Sequence, residues 1–455
     1  MTHASPALTD VLSDIDLELQ QRAPLKVVLR VLEAAREPLS LAFREGLGAS
    51  VAAKALTLKV LNLLLAKYHF RERSRVLLSH PPGLIVDPAN GCNLACPGCV
   101  HSSGNKEFKR FDWNQGLLSE DRFQALLERY GPYIVNMRFY NYGEPTANLH
   151  TPKFIQLAKT YLVQTLLSTN ATIRRFDAEA YVRSGLDFMI LSIDGATQPV
   201  YEIYRKNGHI DLAFENIRKL VEAKKRLGKE TPILRWQYLA FEHNAHEIPL
   251  ALEMADALGV DQFAVETPYD VSWDVATIRV AKDVQPSAVE LRLGSEDAFS
   301  RNWDFDLKGA AAETIEREFA KRWTNRVAPP YEPAGAPSAH TCNWLYKSMV
   351  MDANDRILPC CSSPQPDVHL AFAEFPDAKS DCFNSADHQR ARQFFADGTK
   401  SAAGGAPAPH CEKCVWDHSH TGADYAQLAT YLRTTSGGTS GGMLDAAGIQ
   451  ILCDW

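Results

Sequence analysis

The stretch Gly91-Cys92-Asn93-Leu94-Ala95-Cys96-Pro97-Gly98-Cys99 places three cysteines in the spacing Cys-x3-Cys-x2-Cys. Three thiolates this close in sequence can hold one metal cluster, but they cannot complete a four-ligand site. An iron–sulfur cube bound here would keep one iron open for an exogenous ligand. A zinc site that borrows His101, or buried thiols without a metal, would use the same residues.

Composition limits the classes of protein to which this chain can belong. Its 455 residues suffice for two or three domains. The net charge of -7, without Lys/Arg-rich blocks, argues against nucleic acid as a partner. The first 14 residues lack the basic and apolar regions of a secretion signal, so we expect a cytoplasmic protein with metal-binding thiols. Three lysines interrupt the apolar window 51–68, which predicts no transmembrane segment.

Residues 1–80 are predicted to form a helical extension, because Leu, Val and Ala recur at helical spacing with Arg and Lys between them. Two interpretations remain open for this extension. It can be a cap packed on the core, or it can dock a partner or a membrane surface through a basic amphipathic face. The basic residues of that face are Lys54, Lys59, Lys67, Arg71 and Arg73.

From Gly83 to Pro268, short apolar runs alternate with amphipathic helical windows, a pattern typical of βα units in a parallel sheet. Six units predict an incomplete, TIM-like (β/α)6 barrel of the α/β class. Chemistry in such folds lies at the carboxyl ends of the strands, where the cysteine loop falls. The predicted strands are Gly83–Asp87, Tyr133–Tyr140, Val163–Ser168, Phe188–Ile193, Ile233–Leu239 and Gln262–Glu266.

Helix boundaries within this region have local signals. Ser119 and Asp177 are predicted to cap helix starts, and Gly228 and Gly259 are predicted to close helices.

A Pro/Ala-rich stretch, 328–337, indicates a boundary before a segment that holds six cysteines between Cys342 and Asp417. We therefore predict an N-terminal extension (1–80), a barrel (81–270), a connecting segment (271–340) and a cysteine-rich C-terminal region (341–455).

The loop motifs resemble those of radical S-adenosylmethionine (SAM) enzymes. Cys92, Cys96 and Cys99 match the family's cluster loop position by position. The resemblance implies a 4Fe-4S cluster whose open iron chelates the amino and carboxylate groups of SAM. Gly98 departs from the family, which often has an aromatic residue there to back the adenine.

A second motif, Tyr142-Gly143-Glu144-Pro145, is similar to the family's Gly-Gly-Glu-Pro with Tyr142 replacing the first glycine. The resemblance implies that Glu144 receives the ammonium group of SAM. Taken alone, the tetrapeptide 142–145 would indicate a surface turn.

Further polar residues follow the next two predicted strands. By resemblance, side chains after the third strand bond the ribose, although a turn or helix cap would use the same residue types. Arg205 is expected to meet the SAM carboxylate as a bidentate fork, the alternative being a solvated surface charge. The residues assigned to SAM in these segments are Ser168, Thr169, Asn170, Ser192, Asp194 and Arg205.

Polar residues of the fifth and sixth units are candidates for substrate contacts, with packing or solvated roles as the alternative. They are Trp236, Gln237, Tyr238, Glu242, His243, Asn244, Glu266, Tyr269 and Asp270.

The C-terminal cysteines resemble the SPASM or shorter twitch extensions of radical SAM enzymes, which house auxiliary clusters. A full SPASM region needs more cysteines than are present, whereas four thiolates complete one auxiliary 4Fe-4S cluster. A structural zinc site would use the same four. The predicted ligands are Cys342, Cys360, Cys411 and Cys414.

Cys361, Cys382 and Cys453 are left over. Each is a candidate donor of a hydrogen atom to a substrate radical, or a buried inert thiol.

The resemblance implies an enzyme that cleaves SAM reductively to a 5'-deoxyadenosyl radical, which abstracts a substrate hydrogen atom. We expect oxidation of a small sugar or aminocyclitol, with electrons from a donor such as flavodoxin or ferredoxin. The alternatives are an epimerase, a peptide-modifying enzyme of ribosomal peptide maturation, and a non-catalytic iron–sulfur or zinc scaffold.

Overall fold

The computed structural model describes residues 59, 62, 66, 69–70, 73–99, 101, 116–268, 278–292, 342–361, 371–398 and 411. Several predictions from the sequence fall outside these residues. They concern Lys54, Lys67, Arg71, Tyr269, Asp270, Cys414 and Cys453, and most of segments 1–80 and 271–340.

The described strands form one mixed sheet. They are β1 (Gly83–Val86), β2 (Asn136–Phe139), β3 (Gln164–Thr169), β4 (Phe188–Ser192), β5 (Ile233–Leu239), β6 (Gln262–Glu266), β7 (Ser287–Glu290), β8 (Ser348–Met351), β9 (Arg356–Leu358) and β10 (Ala373–Glu374). Their order is β10-β9-β8-β1-β2-β3-β4-β5-β6-β7. Strands β1 to β6 are parallel and adjacent in chain order, which confirms the predicted α/β class and incomplete barrel.

Helices connect each parallel strand to the next, as parallel pairing requires. They are α1 (Glu120–Tyr130), α2 (Thr151–Thr160), α3 (Ala178–Arg183), α4 (Gln198–Tyr204), α5 (Ile210–Leu227) and α6 (Ile248–Leu258), followed in the C-terminal region by α7 (Trp344–Lys347) and α8 (Ala386–Asp397). Among the helices described here, none combines the length and apolarity needed to cross a lipid bilayer.

The predicted helix boundaries are confirmed. Ser119 Oγ accepts a hydrogen bond from Arg122 N at 3.3 Å, and the Asp177 carboxylate accepts one from Ala180 N at 2.9 Å. Gly228 and Gly259 close α5 and α6 with φ of 61° and 84°, the left-handed conformation that glycine adopts without a steric cost.

The C-terminal strands extend the barrel sheet beyond its first strand. Strand β8 pairs in parallel with β1, so that Ile85 lies beside Val350, and β9 returns antiparallel along β8. The sequence analysis did not predict these strands, nor β7, which pairs antiparallel with β6 at the other edge. The pairing brings the cysteine-rich region against the strand that carries the cysteine loop.

The described part of the N-terminal extension packs on the core. Lys59 is fully buried, and its ammonium group donates hydrogen bonds to the carbonyls of Gly131 (2.9 Å) and Ile134. Arg73 donates to Ala396 O at 3.4 Å. For Lys59 the structure fits the cap interpretation and not the basic docking face, because its charged group satisfies buried backbone carbonyls.

Candidate active site

The cysteine loop follows β1 at the carboxyl edge of the parallel strands. Cys96 is buried, whereas Cys92 and Cys99 are half-buried. A tight turn with Gly98 at φ 77° lets Cys99 N donate to Cys96 O at 3.1 Å. Ala95 N donates to Lys206 O at 3.1 Å, which holds the loop against the residues after α4.

The surroundings of the thiols are apolar. Leu94, Tyr204, Phe241 and Ile278 pack around Cys96. Burial raises the pKa of Cys96 to about 11, although the Arg205 guanidinium acts in the opposite direction. Thiols in such a site lose their protons when a cationic metal replaces the missing solvation. Three thiols in a dry pocket therefore fit an iron–sulfur cluster.

His101, the ligand that a zinc site would borrow, has a backbone partner. The Nε2 atom of His101 lies 2.8 Å from Tyr142 O, so this nitrogen is used in a hydrogen bond to the backbone. Within the described ranges, no three His, Cys, Asp or Glu side chains are grouped as a single metal ion requires.

Glu144 joins the end of β2 to the end of β3. Its buried carboxylate accepts hydrogen bonds from the Thr169 hydroxyl at 2.6 Å and from Asn170 N at 2.8 Å. Thr146 donates two more, from its backbone N at 3.0 Å and its hydroxyl at 2.6 Å. Burial raises the pKa of Glu144, and these hydrogen bonds oppose the rise. The predicted ammonium contact remains a prediction, but the structure adds a positioning role.

The backbone at Gly143 and Glu144 lies against the start of the cysteine loop. A Cβ atom on Gly143 would lie 1.7 Å from Ala89 O, so this close backbone approach requires glycine. Pro145 begins a 3-10 turn, and Glu144 N donates to Gly91 O at 2.8 Å. The second motif therefore contacts the cysteine loop through the backbone.

Asp87, at the end of β1, is a site residue that sequence reasoning missed. Its buried carboxylate accepts from Asn141 N at 2.8 Å and from Tyr142 N at 3.0 Å. Burial raises the pKa of Asp87 to about 7, while these backbone hydrogen bonds act to lower it. Its position directly after a buried strand was the available signal.

Asn93, also missed, joins the cysteine loop to β3. Asn170 Nδ2 donates to Asn93 Oδ1 at 3.0 Å, and Asn93 Nδ2 donates to Thr172 Oγ1 at 2.9 Å. The same Asn170 amide lies 3.7 Å from Cys92 Sγ. Asn170 therefore orients the loop that carries the first cysteine.

Ser168 and Ser192 lie side by side on neighbouring strands. Both are half-buried, and their hydroxyl oxygens are 3.2 Å apart. They form a hydroxyl pair at the carboxyl edge of the sheet, as expected for a contact to a ligand hydroxyl group.

Arg205 makes an ion pair with Asp194. Arg205 Nε lies 2.5 Å from Asp194 Oδ2, and Asp194 Oδ1 accepts from Leu239 N at 2.7 Å. The guanidinium carbon of Arg205 lies 5.2 Å from the ring centre of Tyr204. Asp194 is fully buried and orients the arginine toward Cys96, whose pKa the guanidinium lowers.

Three predicted substrate residues are structural instead. Trp236 and Tyr238 lie fully buried in the core, because their strand directs alternate side chains to the helices. The Asn244 side chain is buried and donates to the carbonyls of Asp194 and Leu239. These three predictions are wrong.

The other described candidates for substrate contacts are more accessible to solvent. Gln237, His243 and Glu266 are half-buried, and Glu242 is exposed. Arg235 forms an ion pair with Glu266 at 2.5 Å. The sequence signal for these residues was their position at the strand ends.

Three of the four predicted auxiliary ligands lie in the described part of the chain. Cys342, Cys360 and Cys411 are buried, whereas Cys361 is exposed. Cys342 is close enough to Tyr346, and Cys411 to Arg392, to influence their pKa values. The Arg392 guanidinium lies 5.7 Å from the Tyr346 ring centre, so Cys342 and Cys411 share one region.

Cys382 lies beside the end of α1. Its Sγ is 3.3 Å from Glu374 O, and its backbone N donates to the Tyr130 hydroxyl at 3.2 Å. Tyr130 ends α1, and a helix after a parallel strand ends at the amino edge of the sheet. The neighbouring Phe383 O accepts from Arg392 at 2.6 Å, so Cys382 lies near the region of Cys342 and Cys411.

Residues 86–234 match the family model of the Radical SAM superfamily. The match begins at the last residue of β1 and ends within β5, so it includes the cysteine loop and the carboxyl ends of β2 to β4. Over these residues the chain is similar to the radical SAM superfamily, whose cofactors are a 4Fe-4S cluster and SAM.

Two relatives align with parts of the chain. The mycofactocin maturase MftC of Mycobacterium tuberculosis is 30% identical over 152 residues, which are 32% of this chain and 36% of that protein. The Fe-coproporphyrin III synthase of Methanosarcina barkeri is 22% identical over 176 residues, 38% of this chain and 41% of that protein. Each alignment spans less than half of the relative's length.

Among solved structures, Streptococcus suis SuiB bound to S-adenosylmethionine aligns with 67% of this chain and 65% of its own. The identity is 15% and the TM-score is 0.40.

Proposed function

We propose that this radical SAM enzyme binds SAM at the cysteine loop and modifies a peptide, with a second cluster held in its C-terminal region. The observation that carries the proposal is the convergence of the ends of β2 and β3 on the cysteine loop through Glu144 and Asn170, together with Arg205 near Cys96. When bound, the cluster and SAM supply a radical that abstracts a hydrogen atom.

The chain's own residues position SAM. In this proposal Ser168 and Ser192 bond the ribose, and Arg205 receives the carboxylate while Asp194 fixes its guanidinium. Thr169 acts indirectly, because its hydroxyl donates to Glu144.

Cys342, Cys360, Cys411 and Cys414 are proposed to hold the auxiliary cluster within a C-terminal region, 341–455, that follows the barrel of 81–270. The choice of Cys360 over Cys361 is supported by burial, since Cys360 is buried and its neighbour is exposed. A fully ligated cluster has no open iron, so we assign it electron transfer.

The comparisons support the peptide-modifying alternative more than oxidation of a sugar or aminocyclitol. The match to a maturase is the observation that favours it. Oxidation of a small molecule is the second candidate, because the match to the porphyrin synthase covers a similar share of the chain. In both cases an electron donor such as flavodoxin or ferredoxin supplies the reducing electron.

Cofactor content is the first test of this proposal. Anaerobic reconstitution is expected to give about eight iron atoms per chain, and the Cys92→Ala/Cys96→Ala/Cys99→Ala variant about four. Cys382→Ala is the control and should keep the full content, because this thiol contacts the Glu374 carbonyl and is not one of the proposed ligands. Four iron atoms or fewer in the fully loaded wild type would disprove the second cluster.

Turnover is the second test. With dithionite and SAM, the loaded wild type should form 5'-deoxyadenosine. Short peptides encoded beside the gene and a set of aminocyclitols are then compared as substrates by mass spectrometry. Loss of two hydrogen atoms from a peptide supports the proposal, whereas the same loss from an aminocyclitol alone supports the second candidate.

A further inference from the structure

The ring of Tyr142 packs against the C-terminal strands. Tyr142 is 9% exposed and clusters with Ile85, Val350 and Leu358, with Trp344 packed alongside. These partners come from β1, β8, β9 and α7. The side chain therefore occupies the space between the barrel and the hairpin β8–β9.

The backbone of Tyr142 belongs to the SAM motif. Its N–H donates to the Asp87 carboxylate at 3.0 Å, and its carbonyl lies 2.8 Å from Nε2 of His101, two residues after Cys99. Gly143 and Glu144 follow directly, and their backbones contact Ala89 and Gly91 at the start of the cysteine loop. The backbone of Tyr142 thus contacts residues on both sides of the cysteine loop, and its ring contacts the hairpin.

The hairpin leads directly to a proposed auxiliary ligand. Leu358, which packs on Tyr142, ends β9 and precedes Cys360 by two residues. Backbone contacts fix the opposite end of the hairpin, because Asp87 N donates to Met351 O at 2.9 Å and Ala353 N donates to Asn90 Oδ1 at 2.9 Å. At the end near Cys360, the pairing of Leu358 with Val350 and the packing of Leu358 on Tyr142 hold β9 in place.

We propose that Tyr142 is a positioning residue that holds the hairpin β8–β9, and with it Cys360, against the SAM motif. This inference rests on the proposed function where it concerns the auxiliary cluster. The ring makes the packing contacts with the hairpin. We therefore expect Tyr142→Phe, which keeps the ring, to hold the hairpin in place and Tyr142→Ala to release it.

The first experiment measures amide hydrogen exchange of the full chain before iron loading. Tyr142→Ala should speed exchange in 348–358 by about tenfold, because lost packing lowers the local opening free energy. Tyr142→Phe should exchange like the wild type. Phe176→Ala removes a buried ring that stacks on Tyr181 elsewhere and is the matched control. Unchanged exchange in Tyr142→Ala would overturn the proposal.

The second experiment reads the auxiliary cluster alone, in the Cys92→Ala/Cys96→Ala/Cys99→Ala background. Tyr142→Ala should shift its electron paramagnetic resonance g-values and midpoint potential, and Tyr142→Phe should restore both. If the triple-alanine variant binds no iron, the auxiliary cluster is refuted. The hydrogen-exchange experiment still tests whether Tyr142 holds the hairpin. If Tyr142→Ala does not fold, Tyr142→Leu is measured in its place. The inference would be overturned if Tyr142→Leu showed the exchange rates, g-values and midpoint potential of the protein with Tyr142.

Discussion

At Asp87, a single buried carboxylate accepts backbone hydrogen bonds from Asn141 and from Tyr142, where the second motif begins. Asp87→Asn replaces one acceptor oxygen by an amide that faces these N–H donors. We expect a loss of about 1–3 kcal/mol in the free energy of unfolding. Urea titration measures the loss. Asp283→Asn, at an exposed carboxylate, is the control and should change stability little.

His69 predicts a pH dependence of stability. Its Nε2 accepts from Leu78 N at 3.1 Å and its Nδ1 lies 2.9 Å from the Ser74 hydroxyl, so the neutral ring fits its site. Burial, assisted by the charge of Arg392, lowers the pKa of His69 to about 4. Between this value and about 6.5, the unfolded chain binds a proton that the folded chain does not, so stability falls as the pH falls.

Between pH 7 and pH 5, His69 is expected to cost about 2 kcal/mol of stability. Urea titrations at both pH values measure the loss, and His69→Gln should remove most of it. His246→Gln changes an exposed histidine and serves as the control. An equal pH dependence in the wild type and His69→Gln would contradict this assignment.

At the scale of elements, the sequence predicts the barrel well and the C-terminal hairpin poorly. Strands β5 and β6 have the predicted bounds, because each is an apolar or alternating run enclosed by clear helix signals. Strands β8 and β9 have four and three residues, and β8 takes its partner from β1, far away in the sequence. Short strands of this kind are specified by burial against a distant partner, which no local pattern records.

The residues of the candidate site likewise divide into those that the sequence predicts and those that it does not. The cysteines were predictable because their chemistry is visible in the residue type and spacing. Asp87 was missed because a polar residue after a strand resembles a solvated turn until the fold buries it. Asn93 was missed because its hydrogen-bond partners, Asn170 and Thr172, are far away in the sequence. Trp236 and Tyr238 were assigned to the wrong face, because a polar atom on an aromatic side chain does not show which way the strand directs it.

The contact between β4, β5 and the end of α4 depends on Asp194. Asp194→Asn would leave the Arg205 guanidinium buried without its counter-charge, and we expect a loss of about 3–5 kcal/mol. Adding Arg205→Met should recover part of this loss, since it removes the uncompensated charge. Glu215→Gln, in the exposed pair with Lys219, should cost less than about 1 kcal/mol. Chemical denaturation of these variants measures the coupling, and additive losses would contradict it.

At the scale of the whole molecule, one sheet joins the two cysteine regions. Strand β1 leads to Cys92 and pairs along its length with β8, which precedes Cys360. The boundary expected between the barrel and the C-terminal region therefore does not interrupt the sheet. Unfolding of the C-terminal strands removes the hydrogen bonds of one side of β1.

We therefore expect the barrel and the described C-terminal strands to unfold together. In native-state hydrogen exchange of the loaded enzyme, amides of β1 and β8 should open with the same free energy, because each strand completes the other's ladder. Cys342→Ala/Cys360→Ala should lower both values equally, since a ligand that binds the folded state stabilises every element that unfolds with its site. Cys361→Ala, at the exposed neighbouring thiol, is the matched control. Opening of β8 at a lower free energy than β1, with β1 unaffected by the double substitution, would show that the two regions unfold separately.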